Sequence, residues 1–151
     1  MISHIFFAVL IFVVLYCAWR ISVADFRHRI IPDIYLFPIL LAGLITVTFY
    51  PWVCTPGDAA VAATFGYIMA WGLGILFGKL RKTDTPIGMG DVKLIATGGI
   101  WLGTTGLALS LVISCILGMI WGAYRRQRYI PFGPFFIAGG ILALIALTFL
   151  I

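Results

Sequence analysis

The chain has 151 residues, of which 63% are hydrophobic and only 10% charged, and its formal net charge is +5. Its mean hydropathy of +1.15 is too high for a soluble domain of this length, whose surface would need many more polar side chains. These values exclude a soluble globular protein and indicate an integral membrane protein in which residues 1–151 form a single domain.

Six apolar segments are predicted to cross the membrane as helices, which makes the expected fold all-α. A helix needs about 20 mostly apolar residues to cross a hydrocarbon core of ~30 Å, and runs near this length recur along the chain. The first run, residues 5–19, is not a signal peptide, because no Lys or Arg precedes it and Arg20, Arg27 and Arg29 follow it. The six predicted spans cover residues 3–24, 34–52, 58–79, 91–103, 106–124 and 132–150.

The basic residues predict how these spans are oriented. All ten Lys and Arg residues lie near the end of span 1 or after it, at or near the connection between spans 3 and 4, or between spans 5 and 6. The alternate connections, PWVCTPGD and GTTG, contain none. Because Lys and Arg accumulate on the cytoplasmic side, both termini are expected to be non-cytoplasmic in a multi-pass protein of the inner membrane.

The acidic residues are few, and most have an ordinary structural interpretation. There is no Glu, and the five acids are Asp25, Asp33, Asp58, Asp84 and Asp91. Asp58 is expected to cap span 3, and Asp33, which follows Pro32, is expected to cap span 2. Asp84 lies in a basic cytoplasmic connection and is expected to be solvated.

Asp25 and Asp91 are expected at the cytoplasmic ends of spans 1 and 4, at similar depth. Ionisable groups at membrane level are costly and usually face a partner or a watery cavity. Each could be an interfacial anchor that pairs with a nearby Arg or Lys. Alternatively, the two could approach each other and share a proton, as in aspartic proteases. Gly88 and Gly90 suit that chemistry, since they would let a substrate backbone approach closely and permit unusual dihedral angles.

Three motifs, in this order on a six-span chain, together resemble those of type IV prepilin peptidases. The segment GMGDVKL, residues 88–94, matches the GxGD motif of intramembrane aspartic proteases and the GxGDxKL form of this family. The segment DFRHRIIPD, residues 25–33, is similar to the family's first aspartate motif. The segment IPFGPFFIAGG, residues 130–140, is similar to the start of its last span.

The resemblance implies that Asp25 and Asp91 are the catalytic pair of an aspartic endopeptidase. It implies that the substrates are prepilins or pseudopilins, whose short basic leader precedes an apolar helix and is removed at the cytoplasmic face. Longer members carry an N-terminal methyltransferase region with paired cysteines, and this sequence looks like the short peptidase-only members, including those that serve Flp/Tad pili. Substrate-binding or supporting roles are expected for Gly88, Gly90, Lys93, Pro32 and Asp33.

Two other functions remain open on the sequence. A small proton-coupled transporter subunit could use Asp25 and Asp91 as a relay, although all five acids lie at or near span ends. An inert membrane scaffold would leave the motifs without a role. The cysteines are far apart in the sequence, which argues against a metal site. No cofactor and no nucleic-acid partner are expected; the expected partners are the prepilin or pseudopilin substrate and membrane lipids.

Overall fold

The computed structural model describes residues 2–51, 53–81, 87–126 and 130–150, and every regular element within them is an α-helix. The predicted all-α fold is therefore confirmed. Helices α1, α3, α4 and α5 are long and apolar enough to cross a membrane, whereas α2 is a shorter apolar helix of 17 residues. The bounds are α1 Ile2–His28, α2 Asp33–Phe49, α3 Pro56–Arg81, α4 Met89–Arg125 and α5 Phe132–Leu150.

The outward-facing side chains of the helices are largely apolar. Phe12 of α1 is 72% exposed, Phe65 of α3 is 62% exposed and Met119 of α4 is 64% exposed. Soluble monomers rarely expose apolar surface on this scale, because it would be in contact with water. These faces suit contact with the hydrocarbon of a bilayer, in agreement with the composition of the chain.

Helix α4 is interrupted at Gly103, which has φ 66° and ψ −174°. This combination is essentially restricted to glycine, because a Cβ would collide with the neighbouring backbone. Gly103 divides α4 into a first half, residues 89–102, and a second half, residues 104–125.

Contacts with α5 show that the chain folds back between these two halves. Gly98 packs against the ring of Phe136, and Ser114 packs against Gly139, less than one turn further along α5. In a straight helix residues 98 and 114 would be about 24 Å apart. The two halves of α4 therefore run antiparallel, side by side, against the same helix.

The six predicted spans thus correspond to five helices. Spans 4 and 5, predicted over residues 91–103 and 106–124, both lie in α4, and the predicted connection at residues 103–106 is reduced to Gly103 alone. The reason is that one glycine with positive φ reverses the chain without a loop. Span 4 is short because it ends at that glycine.

One end of the bundle contains the last turns of α1, α3 and the second half of α4 together with the first turns of α2, α4 and α5. Contacts between Asp25 and Gly133 and between Lys93 and Asp33 join these termini. We refer to it as the basic end, because the following described residues lie there: Arg27, Arg29, Lys79, Lys93, Arg125 and Arg126.

At the opposite end, Asp58 stabilises the reversal in α4. The Asp58 carboxylate accepts hydrogen bonds from the backbone N–H of Thr104 at 3.1 Å and from its Oγ1 at 2.7 Å. The first N–H groups of a helix lack partners within it, so this carboxylate caps the second half of α4. The expectation that Asp58 caps span 3 is wrong, since Thr55 Oγ1 accepts the hydrogen bond from the Asp58 N–H at 3.2 Å.

Replacing Gly103 by alanine should destabilise the protein. A Cβ there would overlap the Asp58 carboxylate and lie 2.7 Å from the Cβ of Cys54, and the backbone conformation alone costs a non-glycine residue about 1–3 kcal/mol. Thermal unfolding in detergent should show a lower Tm for Gly103→Ala. The matched control is Gly72→Ala in α3, where a Cβ meets nothing within 4 Å. Equal Tm values for the two variants would contradict the strain assigned to Gly103.

Candidate active site

Asp25 lies near the C-terminal end of α1, at the point where α5 begins. Its side chain is 5% exposed, and its Oδ2 accepts a hydrogen bond of 2.8 Å from the backbone N–H of Gly133. Gly133 is in the first turn of α5, where N–H groups have no partner within the helix. A Cβ on residue 133 would lie 3.0 Å from that carboxylate oxygen, so glycine lets the start of α5 approach it closely.

An aromatic cluster fixes the end of α1 beside this contact. The ring of Phe26 lies 6.1 Å from that of Trp121 in α4 and 6.4 Å from that of Phe135 in α5, and the last two are 6.1 Å apart. The guanidinium of Arg125 lies 5.1 Å from the Trp121 ring centre. Aromatic pairs at these distances attract one another beyond their buried area, so the cluster positions Asp25 through its neighbour in the chain.

Asp91 lies in the first turn of α4 and is half-buried. The helix begins after Gly88, whose carbonyl accepts a hydrogen bond of 3.2 Å from the N–H of Val92. The Asp25 carboxylate is close enough to Asp91 for a direct electrostatic interaction. Two acids from distant parts of the sequence therefore lie within electrostatic range of each other at the basic end.

The backbones of α1 and α4 do not pack directly against each other within the described residues. They are connected through the turn between α1 and α2. In that turn Arg29 has φ 54° and its N–H donates to the carbonyl of Asp25 at 2.9 Å, and Ile31 packs against Gly90 of α4. The position of Asp91 relative to Asp25 thus depends on this short turn and on α5.

The glycines of the GMGD segment differ from expectation. Gly88 has φ −65° and ψ 141°, which any residue adopts, and Gly90 is helical. The expectation of unusual dihedral angles at these two positions is therefore wrong. Packing explains why residue 90 is a glycine, because a Cβ there would lie 2.9 Å from the Cβ of Ile31. Its role in the structure is close packing of α4 against the turn after α1.

Asp33 and Lys93 form an ion pair across α2 and α4. The distance between Lys93 Nζ and Asp33 Oδ2 is 2.6 Å, and the two side chains are 42% and 66% exposed respectively. Pro32 is the N-cap residue of α2, with an extended backbone, and no side chain caps that helix. The expectation that Asp33 caps span 2 is therefore wrong. Its carboxylate is used to link the first turn of α2 to the first turn of α4.

Other expectations from the sequence bear less on the site. Asp84, expected to be solvated, belongs to residues 82–86, which lie outside the described part of the chain. Within the described ranges, no group of three or more His, Cys, Asp or Glu side chains is arranged to hold a metal ion.

Comparison with known proteins identifies the family of the chain. A sequence model of the type IV leader peptidase family matches residues 8–123, which include both Asp25 and Asp91. The chain belongs to this family. No solved structure matches the chain.

Curated relatives carry the name prepilin leader peptidase/N-methyltransferase. The chain is 35% identical to the Pseudomonas putida protein over 132 residues, which is 83% of the chain and 45% of that relative. It is 35% identical to the Pseudomonas aeruginosa protein over 131 residues, 82% of the chain and 44% of the relative. For Aeromonas salmonicida the identity is 34% over 128 residues, 80% of the chain and 43% of the relative. The chain therefore spans less than half the length of these leader peptidase relatives.

Gly133 is the residue of the site that sequence reasoning missed. The segment of residues 130–140 resembles a motif of the leader peptidase family, but its letters do not tell which group its backbone contacts. The signal lay in its position, because the start of an apolar helix presents unpaired N–H groups and the predicted topology placed this start at the same side as Asp25. The Asp33–Lys93 pair was missed because Asp33 had a local explanation as a helix cap, and the sequence does not show that residue 93 lies beside it.

A double-mutant cycle should detect the ion pair. An exposed pair contributes about 0.2–1 kcal/mol, so Asp33→Asn and Lys93→Met should each lower the unfolding free energy slightly. The double variant should lose less than the sum of the two, and the coupling should weaken in high salt. Thermal unfolding at two ionic strengths measures this. Additive effects that do not depend on salt would mean that the pair does not form in the membrane protein.

Proposed function

We propose that this chain is an aspartic endopeptidase that removes the basic leader from type IV prepilins or pseudopilins at the cytoplasmic membrane face. The observation that carries the proposal is the meeting of Asp25 and Asp91 at one end of a helical bundle, in a chain of the leader peptidase family. Asp25 is buried and Asp91 is half-buried. Burying a carboxyl group at membrane level costs free energy, and ionisable residues that carry this cost commonly have a function. The substrates that we propose include prepilins of the Flp/Tad type.

In the proposed mechanism the two carboxyl groups share one proton. The ionised carboxylate takes a proton from a water molecule, whose oxygen attacks the carbonyl carbon of the scissile peptide. The protonated carboxyl donates its proton to the carbonyl oxygen, which gives a tetrahedral diol. Collapse of the diol then breaks the C–N bond. The carboxyl that took its proton from water donates it to the leaving amine, and a hydroxyl of the diol gives its proton to the other carboxylate, so that the pair returns to its starting state.

Within this mechanism, surrounding residues position the pair. The N–H of Gly133 orients the Asp25 carboxylate through its Oδ2. Gly90 and Lys93 fix the first turn of α4 against the α1–α2 turn and Asp33. We therefore assign to Lys93, Asp33, Pro32, Gly88 and Gly90 supporting roles, and none of them a proton-transfer step.

We further propose six membrane crossings, with the basic end in the cytoplasm and both termini on the other side of the inner membrane. The two antiparallel halves of α4 count as separate crossings, and α2 as a short one. The concentration of Lys and Arg at one end of the described bundle supports this orientation.

The transporter alternative receives less support from the structure. A proton relay needs ionisable groups through the depth of the bilayer. Asp25, Asp33 and Asp91 lie at the basic end and Asp58 at the opposite end. Between them, the buried polar side chains of the described residues are the hydroxyl groups of Thr46, Thr97, Ser110 and Ser114. No observation favours the relay over the peptidase.

Asn substitution should separate the catalytic acids from the supporting one. Asp25→Asn and Asp91→Asn should each abolish cleavage, because an amide supplies neither the base nor the acid of the proposed mechanism. Asp33→Asn is the matched control at the same end and should retain most of the activity. Purified variants are mixed with a prepilin in detergent, and the shortened product is measured. Near-normal cleavage by either of the first two variants would remove that residue from the mechanism.

Thiol labelling should establish the orientation. In a background without the native cysteines, Gly57→Cys and Arg126→Cys place one exposed thiol at each end of the bundle. A membrane-impermeant maleimide added to spheroplasts should label Gly57→Cys at once and Arg126→Cys only after permeabilisation. The reverse pattern would refute the proposed topology and place the basic end outside.

A further inference from the structure

Arg20 is a cation of α1 that is set back from the basic end. It precedes His28, the last residue of α1, by eight residues, which is about 12 Å along the helix. Its side chain is exposed and is held by Tyr35, the third residue of α2. Nε and Nη2 donate hydrogen bonds of 3.2 and 2.9 Å to the Tyr35 hydroxyl, and Cζ lies 5.2 Å from the ring centre. Because α2 starts at the basic end, this contact holds the guanidinium near that end of the bundle.

The guanidinium of Arg20 keeps one edge of donors free. Within the described ranges, Arg20 forms no ion pair with a carboxylate. A guanidinium carries five N–H groups, and the Tyr35 hydroxyl takes the two on the Nε–Nη2 edge, which leaves three on Nη1 and Nη2. Two parallel N–H groups of an arginine match two oxygens of one carboxylate or phosphate group. Tyr35 therefore fixes the side chain in a position in which it presents such a pair of donors.

Two exposed aromatic side chains share this face of α1. Tyr16 and Trp19 precede Arg20 by four residues and one residue, and Arg27 follows it by seven, so all four lie within about 100° of arc around the helix. Trp19 is 59% exposed and Tyr16 is 49% exposed, and their rings are 6.3 Å apart. Tyr and Trp are enriched where the hydrocarbon of a bilayer meets the headgroups. The order of aromatic and then basic side chains therefore follows the change from hydrocarbon to headgroups.

This face of α1 is turned away from the two candidate catalytic acids. Cys17, Ile21 and Asp25 are spaced four residues apart and form the buried face of α1, with exposures of 5%, 0% and 5%. Arg20 and Asp25 are five residues apart, which is about 140° around the helix. An anion that binds to Arg20 therefore approaches from the lipid side of the bundle.

We propose that Arg20 and Tyr35 form a binding site for the phosphate group of an anionic phospholipid, in the leaflet at the basic end. Oxygens of the phosphate accept hydrogen bonds from the free edge of the guanidinium. The acyl chains lie along the exposed rings of Trp19 and Tyr16, and Arg27 adds a second positive charge on the same face. The site uses neither of the candidate catalytic acids, so it is independent of the proposed peptidase reaction.

The position of the site favours a lipid over a phosphate ion from water. Headgroups form a layer about 5–7 Å deep at each face of the hydrocarbon core, and an arginine below this layer extends its side chain towards it. A lipid offers its phosphate at that level together with acyl chains for the aromatic rings, whereas a free ion offers the phosphate alone. The charges of Arg20 and Arg27 favour an anionic headgroup over a zwitterionic one, whose cationic group they repel.

Native mass spectrometry of the detergent-purified protein measures the affinity for the first bound lipid. Phosphatidylglycerol and phosphatidylcholine with identical acyl chains are titrated separately, and the unmodified chain should bind the first about 10-fold more tightly. Arg20→Gln should weaken phosphatidylglycerol binding about 10-fold, because it removes the charge and the paired donors. Tyr35→Phe should weaken it about 3-fold, because the ring remains but the hydroxyl no longer holds the guanidinium.

Lys79→Gln is the matched control. It removes one positive charge from an exposed side chain at the basic end, on α3, whose backbone does not pack against that of α1 within the described residues. Its phosphatidylglycerol affinity should change by less than about 2-fold. Equal affinities of the unmodified chain for the two lipids would overturn the site. So would an Arg20→Gln variant that binds phosphatidylglycerol as tightly as Lys79→Gln does.

Two further measurements identify the ligand. Millimolar inorganic phosphate should leave the bound phosphatidylglycerol in place, and its displacement would overturn the lipid as the ligand. A raised KM for prepilin in Arg20→Gln with unchanged lipid binding would also overturn the proposal, since that result assigns Arg20 to the peptide. If Arg20→Gln does not fold, Arg20→Lys keeps the charge without the parallel donors. It should weaken phosphatidylglycerol binding about 3-fold, and an unchanged affinity would contradict the site. Each of these outcomes on lipid binding leaves the peptidase proposal intact.

Discussion

The approach of Asp25 to Asp91 is the constraint on which the rest of the structure depends, because the backbones of the two helices that carry them do not pack directly against each other in the described part of the chain. Apart from the electrostatic interaction between the two carboxyl groups, the links between the acids are indirect. One passes from Asp25 through the backbone of Gly133 into α5, and another through the α1–α2 turn into Gly90. An apolar cavity of about 280 Å³ lies between α1, α2, the first half of α4 and α5.

The bilayer explains why small residues are placed where helices meet. Lipid hydrocarbon is as apolar as the helices themselves, so association depends on close van der Waals packing. A Cβ on Gly99 would lie 2.7 Å from backbone atoms of Ala62 and Ala63 in α3. Gly103 adds a second device, since its positive φ lets α4 reverse with no polar loop and Asp58 caps the N–H groups that the reversal exposes. The end opposite the acids thus contains the contacts that stabilise the reversal, and the basic end contains the two acids of the proposed mechanism.

How much of the structure the sequence could predict depends on how far apart in the chain the interacting residues lie. Apolar runs and charge distribution are local properties, so the all-α fold and the shared location of the Lys and Arg residues followed from them. The reversal at Gly103 was placed correctly, but a loop was expected there. The letters GTTG do not show that one glycine would adopt the dihedral angles that reverse the chain. The Lys93–Asp33 pair and the Gly133–Asp25 bond join residues 60 and 108 positions apart. Contacts of that range depend on the packing of the whole bundle, and no single motif contains them.

Burial separates the acids of the basic end more sharply than their motifs do. Asp33 is 66% exposed and paired with a flexible cation, so it is solvated and worth at most about 1 kcal/mol to stability. Asp25 is 5% exposed, and removing a carboxylate from water costs several kcal/mol unless partners compensate. The N–H of Gly133 and the electrostatic influence of Arg29 offset part of this cost. The Asp91 carboxyl interacts electrostatically with Asp25, and this interaction is repulsive whenever both are ionised. An arrangement that lowers stability in two ways is not explained by folding, whereas a pair that must exchange a proton with water and substrate requires both burial and proximity.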